Sequence, residues 1–236
     1  MIVKKPYSIA QIVKTTPEVT LFKFRSVDGG TLDFDPGMFV MLTHRDQQTG
    51  TEIARAFSLA SPPGGQTIDF TISMIHGRFT SKLDSAKDGD IYYVTGPYGQ
   101  FKLDSTRTKV LFLAGGTGIA PFLSMFYFIK EKALQFDIAV VYSVRHPDEI
   151  ILKEELEALS KELKINMAVT VTRQENTEGW HGEKGHIDSA MISRHVPDVT
   201  QRECYVCGPL AFVKAMKDAL GALDVPKEEV KADVWG

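Results

Sequence analysis

Hydrophobic and polar positions follow two different rhythms along this chain. Up to about residue 100 they form short runs rich in β-branched and aromatic side chains: SIAQIVKT (8–15), VTLFKFRS (19–26), GMFVMLTH (37–44), ARAFSLAS (54–61), TIDFTISM (67–74) and DIYYVTGP (90–97). Gly-Gly, Asp-Pro-Gly and Pro-Pro-Gly-Gly punctuate these runs at strand-plus-turn spacing, which predicts an antiparallel barrel or sandwich. One short helix is expected over FTSKLDSA (79–86), where Phe79 and Leu83 fall four apart on one face. After GPYGQFKLD the rhythm changes. The strands TKVLFLA, DIAVVYSV, NMAVTVT and ECYVCG now alternate with the helical patterns PFLSMFYFIKEKAL, EIILKEELEALSKEL, DSAMISRH and PLAFVKAMKDALGAL, and a last extended piece is VKADVW. Near-continuous apolar strands between amphipathic helices predict a doubly wound parallel sheet. The change falls in KLDSTR (102–107), so two domains are expected, 1–103 and 104–236.

Composition narrows the classes without choosing one. The chain has 236 residues, 43% hydrophobic and 24% charged, with a net charge of -3. Nucleic-acid binding normally leaves a basic excess, which is absent here. No stretch approaches the roughly 18 apolar residues of a membrane span. MIVKKPYSIAQIV carries no apolar core of signal-peptide length, so a cytoplasmic protein is expected. The two cysteines form a C-x-x-C pair, Cys204 and Cys207. Zinc would need two further ligands, which the histidine spacing does not offer, and an iron–sulfur cluster about four cysteines. On a strand, residues three apart face opposite sides, which disfavours a disulfide between them. No metal site is expected.

The candidate chemistry starts at LAGGTGIAP (113–121). Gly116 and Gly118 lie between a strand and a helix in a G-x-G-x-x-P variant of the dinucleotide fingerprint. Glycines there permit positive φ and close backbone approach to a pyrophosphate, and a proline fits the first helical turn. The alternative is that these glycines only permit close packing. An ordinary dehydrogenase fold also wants an acid about 20 residues on, at the far end of the second strand. Asp137 has that spacing but opens its strand, and the far end carries Ser143 and Arg145 instead. An ordinary NAD-dehydrogenase site is therefore not expected.

Five motifs in order, RAFSLAS, GRFTSKL, GPYGQF, LAGGTGIAP and CGP, resemble the ferredoxin–NADP reductase family of flavoproteins across essentially the whole chain. The resemblance implies an FAD-binding barrel over 1–103 and an NAD(P)-binding domain over 104–236. It implies that Arg55 neutralises a flavin phosphate, Phe57 stacks on the isoalloxazine and Ser58 offers a hydroxyl near flavin N5. The family more often has tyrosine at position 57; phenylalanine keeps the stacking and drops a hydrogen bond toward the ribityl chain. The same resemblance adds Ala56, Ile72 and Ser73 to the flavin site. Gly77, Arg78, Phe79 and Thr80 become its diphosphate turn, and Trp235 a cover for the flavin face. Gly116, Thr117 and Gly118 correspond to the nicotinamide-dinucleotide loop. Cys207, with Gly208 and Pro209, corresponds to the cysteine motif beside the reacting rings. Asp233 stands where a glutamate is commoner, with an implied part in proton delivery. Arg145, Thr172 and Arg173, at strand ends, would grip a 2′-phosphate, a slight lean to NADPH over NADH.

The activity so implied is hydride transfer between NAD(P)H and FAD, with Ser58, Cys207 and Asp233 as the catalytic set. Electrons would pass to or from a small redox protein such as a ferredoxin or flavodoxin. Two alternatives stay open: a flavin reductase that uses free flavin as substrate, and an electron-transfer subunit of a larger redox complex.

Overall fold

The computed structural model describes residues 4–46, 49–75, 77–173, 175 and 177–235. The chain divides into two compact units, Met1–Leu103 with Ala120–Phe128, and Asp104–Ile119 with Ile129–Gly236.

The first unit is built on antiparallel strands β1 (Lys5–Lys14), β2 (Val19–Ser26), β3 (Phe39–Arg45), β4 (Glu52–Ser58), β5 (Thr67–Ser73) and β6 (Ile91–Tyr98). They stand in the order β4-β3-β6-β1-β2-β5. The chain leaving β4 curls across to β5: Ala60 N donates to Asp69 O at 2.8 Å and Asp69 N to Ser61 Oγ at 3.0 Å. Those bonds draw the two edge strands together as a barrel requires. The core is aromatic. Phe24 meets Phe70 and Tyr92 edge-on, with centroids 5.6 Å apart in both pairs, the geometry ring quadrupoles favour. Helix α1 (Thr80–Asp84) brings Leu83, and Phe79 just before it, into that core. The four-residue spacing of these two side chains is thus what seats the helix.

The second unit is a parallel sheet of β7 (Lys109–Gly115), β8 (Asp137–Val144), β9 (Asn166–Val171), β10 (Glu183–Lys184), β11 (Glu203–Pro209) and β12 (Val230–Trp235). Its order is β10-β9-β8-β7-β11-β12. Helices α2 (Ala120–Glu131), α3 (Lys153–Glu162), α4 (Ser189–His195) and α5 (Leu210–Gly221) alternate with the strands, α2 grouping with the first unit over Ala120–Phe128. Leu111, Leu113, Cys204 and Val206 on one sheet face pack with Met191 and Ile192 of α4 and Val213, Met216 and Leu220 of α5. A sheet covered in this way needs no polar alternation, which is why its strands read as unbroken apolar runs. From β7 the chain builds outward through β8, β9 and β10, then returns to place β11 on the other side of β7. The strand order therefore reverses between β7 and β11, and a crevice at the carboxyl ends of those strands is where such sheets bind ligands.

Two details depart from the periodicity. The helix expected from residue 149 begins at Lys153, because Pro147–Glu149 form a short 3-10 turn and Leu152 takes a left-handed conformation at φ 49°. Ile150 and Ile151 between them are buried at 6% and 1% exposure, so they supply apolar signal without helix. The two-residue β10 is too short and too polar for a period of two to register.

Candidate functional site

Both glycine stretches singled out in the sequence lie in turns that run into helices, one in each unit. In the parallel unit, β7 runs into a 3-10 turn, Gly116–Ile119, which leads directly into α2. Gly116 is exposed, with φ +55° and open space where a Cβ would be. Gly118 is different. A Cβ there would lie 2.1 Å from the Cys207 carbonyl oxygen and 3.0 Å from Trp235 Cη2. Close packing is thus the role of one glycine and a left-handed backbone that of the other. Gly115 and Gly208, at the ends of β7 and β11, both lie under the ring of Phe212, which a Cβ would meet at 2.9 and 2.6 Å. Thr117 is half-buried, and Pro209 is exposed at the cap of α5.

Gly118, Cys207, Asp233 and Trp235 are brought together by register, since β11 and β12 pair Cys207 with Asp233 and Pro209 with Trp235. Cys207 is fully buried, with its Sγ 4.0 Å from Asp233 Oδ2. Burial, and then the neighbouring carboxylate, hold its thiol well above the ordinary range. It is a protonated group that packs and donates, not a thiolate nucleophile. Cys204 faces the other side of the sheet, and burial pushes its thiol up to about 12. Both are free thiols.

Arg145, Thr172 and Arg173 also converge. Thr172 N donates to Val144 O and Arg173 N to Arg145 O, each at 3.0 Å, extending the β8–β9 pairing past the strand ends. Two of the three polar groups expected to face a phosphate are engaged within the protein. Arg145 is paired with Glu149, and the Thr172 hydroxyl reaches back to Val144 O at 3.3 Å. Asp137 lies at the opposite end of β8, where both its carboxylate oxygens pair with Arg202 at 3.0 Å. That removes it from any ribose site. Arg202, with 8% of its side chain exposed, also binds Asp198, an arrangement the sequence reading missed although the i,i+4 spacing was visible.

In the antiparallel unit, Arg55 and Ala56 are exposed on β4, an outer strand, while Phe57 and Ser58 are half-buried. Arg55 Nη1 donates to Ala54 O at 2.9 Å. The Phe57 ring leans on Phe79 (5.5 Å between centroids) and Phe70 (6.2 Å), which joins β4 to the turn before α1. Gly77 and Arg78 in that turn are exposed. Phe79 and Ile72 are core side chains at 2% and 1% exposure, so any part they take in binding falls to their backbones. Ser73 is half-buried at the end of β5. The Thr80 hydroxyl is also spent locally: it is buried, accepts from Gly77 N at 2.9 Å and donates to Ile75 O. It fastens the turn instead of pointing outward. Gly77 itself has no left-handed φ, and a Cβ on it would make only ordinary contacts, the nearest at 3.6 Å to Thr80 Oγ1.

Comparison with known proteins gives these two sites their setting. A family model for the oxidoreductase FAD-binding domain matches residues 6–103, and one for the oxidoreductase NAD-binding domain matches residues 112–218. The chain belongs to the ferredoxin–NADP reductase family. Among curated proteins of known role, it is 30% identical over 215 residues to the glycine betaine monooxygenase reductase subunit of Pseudomonas aeruginosa, covering 89% of this chain and 58% of that protein. It is likewise 30% identical over 226 residues to the propane 2-monooxygenase reductase component of Mycolicibacterium goodii, covering 92% and 64%. The chain thus spans about three-fifths of the length of these relatives. Among solved structures, the FAD/NAD-binding domain of Vibrio cholerae nitric oxide dioxygenase superposes with a TM-score of 0.88 at 19% identity, over 98% of both chains. A ferredoxin–NADP+ reductase from Neisseria gonorrhoeae, with FAD and NADP bound, gives 0.82 at 21% identity, again over 98% of both. At such identities the superpositions show the fold, an antiparallel unit followed by a parallel one.

For a member of this reductase family the residues fit the two groups. The Gly77 turn has a glycine that neither its own φ nor its own packing requires, beside exposed Arg78. The Gly116–Ile119 turn presents an exposed left-handed Gly116 at a helix start, at the carboxyl end of β7 where strand order reverses.

Proposed function

We propose that this chain is an FAD-dependent NAD(P)H oxidoreductase that exchanges electrons with a small one-electron carrier, a ferredoxin, a flavodoxin or a similar protein. Residues 1–103 form the flavin domain and 104–236 the nicotinamide domain in this reading. One observation carries it. The Gly116–Ile119 turn and the Cys207–Pro209 segment occupy the carboxyl ends of β7 and β11, at the switch point of a parallel sheet, in a chain that also bears an FAD-binding domain.

FAD, when bound, supplies the passage between two-electron and one-electron chemistry. The protein's part is binding and orientation. Arg55 and Arg78 are exposed cations suited to a diphosphate. The absent Cβ of Gly77 leaves the turn open to a ligand, and Phe57, braced by Phe70 and Phe79, offers an aromatic surface. Ser58 places a hydroxyl at the end of β4 for a ring nitrogen. Gly116 and Thr117, at the start of the 3-10 turn, direct backbone amides to a pyrophosphate. Cys207 stays protonated and holds its Sγ near Asp233, whose carboxylate is the group able to hold and hand on a proton. Two free buried thiols suit a reducing compartment, which supports a cytoplasmic location. Among the described residues no helix is long and apolar enough to cross a membrane.

The test is an absorbance spectrum of the purified protein, then anaerobic titration with NADPH and NADH. Co-purified flavin bleached by either nucleotide, and re-oxidised by a ferredoxin or flavodoxin, supports the reading. Flavin that stays oxidised with both nucleotides overturns it. A colourless protein that oxidises NAD(P)H only with added free flavin would make it a flavin reductase. As a check on the site, Arg55→Ala is expected to lower retained FAD at least tenfold with the far-ultraviolet spectrum unchanged.

A further inference from the structure

An ion pair lies just past the carboxyl end of β8. Arg145 follows β8, and Glu149 ends the short 3-10 turn Pro147–Glu149. Their side chains meet edge to edge, with Arg145 Nε 3.0 Å from Glu149 Oε2 and Nη2 3.0 Å from Oε1. This is the two-pronged geometry that makes an arginine–carboxylate pair strong and directional. The backbone sets it: Glu149 N donates to His146 O at 3.1 Å, which folds the turn back over the strand end. His146 Nδ1 in turn lies 3.1 Å from Glu175 O in the segment after β9. The carboxylate is the better sheltered partner, with 19% of its side chain exposed against 49% for the arginine.

We infer that Glu149 is a specificity-determining residue for the nicotinamide nucleotide and favours NADH over NADPH; this rests on the proposed nucleotide site at the carboxyl edge of the parallel sheet. One edge of the Arg145 guanidinium is already matched to a carboxylate, so a 2′-phosphate must share the cation with Glu149. A doubly charged phosphate is repelled by that carboxylate, whereas ribose hydroxyls are donors that a carboxylate accepts. Folds of this general kind place an acid at the end of the second strand for that purpose. The strand itself ends in Ser143 and Val144, and the turn brings Glu149 back to the same place. The Thr172 hydroxyl, directed to Val144 O, adds no donor for a phosphate in this arrangement. Arg173 is exposed beside the pair and opposes the effect, so the preference is graded instead of absolute.

The test compares wild type, Glu149→Gln, Arg145→Leu and the double variant. Its readouts are dissociation constants for NAD+ and NADP+ by calorimetry and kcat/KM for NADH and NADPH. Glu149→Gln is expected to shift the NADP+/NAD+ affinity ratio at least tenfold toward NADP+, and Arg145→Leu in that background to cancel the shift. Arg145→Leu alone is expected to move the ratio further toward NAD+, because it leaves the Glu149 carboxylate without its counter-charge. A ratio within twofold of wild type in Glu149→Gln overturns the inference, as does a tenfold shift toward NADP+ in Arg145→Leu. Wild-type protein that binds neither nucleotide would overturn the nucleotide site itself, and the inference with it. Nucleotide binding at an unchanged ratio defeats this inference alone.

Discussion

The turns containing Gly77 and Gly118 look alike in sequence, a glycine near a threonine at the start of a helix, yet their glycines answer to different demands. In the antiparallel unit Gly77 is neither strained nor crowded, and its surroundings would accept a methyl group. In the parallel unit Gly118 has the Cys207 carbonyl where its Cβ would be, and Gly116 holds φ +55°. The difference teaches what a glycine motif can mean. One lies on an open surface, and the other marks where the chain meets itself.

The largest expected effect tests that contrast. Gly118→Ala should destabilise the parallel unit by at least ~3 kcal/mol, since forced overpacking costs ~1–3 kcal/mol even where only side chains must move. Here the obstacle is backbone. Urea unfolding followed by Trp fluorescence measures it, and a wild-type midpoint would show that the turn can shift freely. Gly116→Ala should cost ~1–2 kcal/mol, the usual penalty for a non-glycine residue in the left-handed region. A loss as large as that of Gly118→Ala would mean that hidden crowding, not dihedral angle, governs the site.

A third, smaller effect is read by acid. The Arg202 guanidinium, hydrogen-bonded to Asp198, holds that carboxyl well below the usual carboxylate range. A carboxylate depressed in the folded state stabilises fully above its unfolded pKa, ~4, and that stabilisation is lost as pH falls below it. The parallel unit should therefore weaken on acidification from about pH 5 downward, and Arg202→Met should flatten that limb of the pH–stability curve. An unchanged slope in the variant would place the acid sensitivity elsewhere. The smallest effect on folding belongs to Gly77→Ala. Stability should move by no more than ~0.5 kcal/mol, the range of surface changes, while FAD affinity falls about tenfold or more, ~1.4 kcal/mol. Loss of stability without loss of flavin would falsify the idea that this glycine is kept for a ligand.

Much of this was legible in the chain. β2 and β8 fall on the runs VTLFKFRS and DIAVVYSV, because a strand's hydrophobic pattern is a local property. Five motifs in order led to the family. Three side chains have partners that the sequence did not announce. Thr80 was assigned to a diphosphate turn and Thr172 to a 2′-phosphate grip, and the hydroxyl of each meets a carbonyl of its own unit. Arg145 was read as a cation awaiting phosphate and is held by Glu149. The i,i+4 spacings of Arg145 with Glu149 and of Asp198 with Arg202 were the available signals. Neither pair lies within one of the helices, so helical periodicity did not raise them.

The sequence by itself determined the two rhythms, the order of the strands along the chain, and which residue types a flavin and a nicotinamide nucleotide could use. Hydrophobic period, glycine and proline placement, and motif order are all written in neighbouring residues. Only the tertiary structure decided which of those groups are still unspent. A hydroxyl, a guanidinium or a missing Cβ takes its meaning from atoms many positions away: Gly118 from Cys207, Asp137 from Arg202, Cys207 from Asp233. Those distances are set by strand register and turn geometry, which no local pattern encodes.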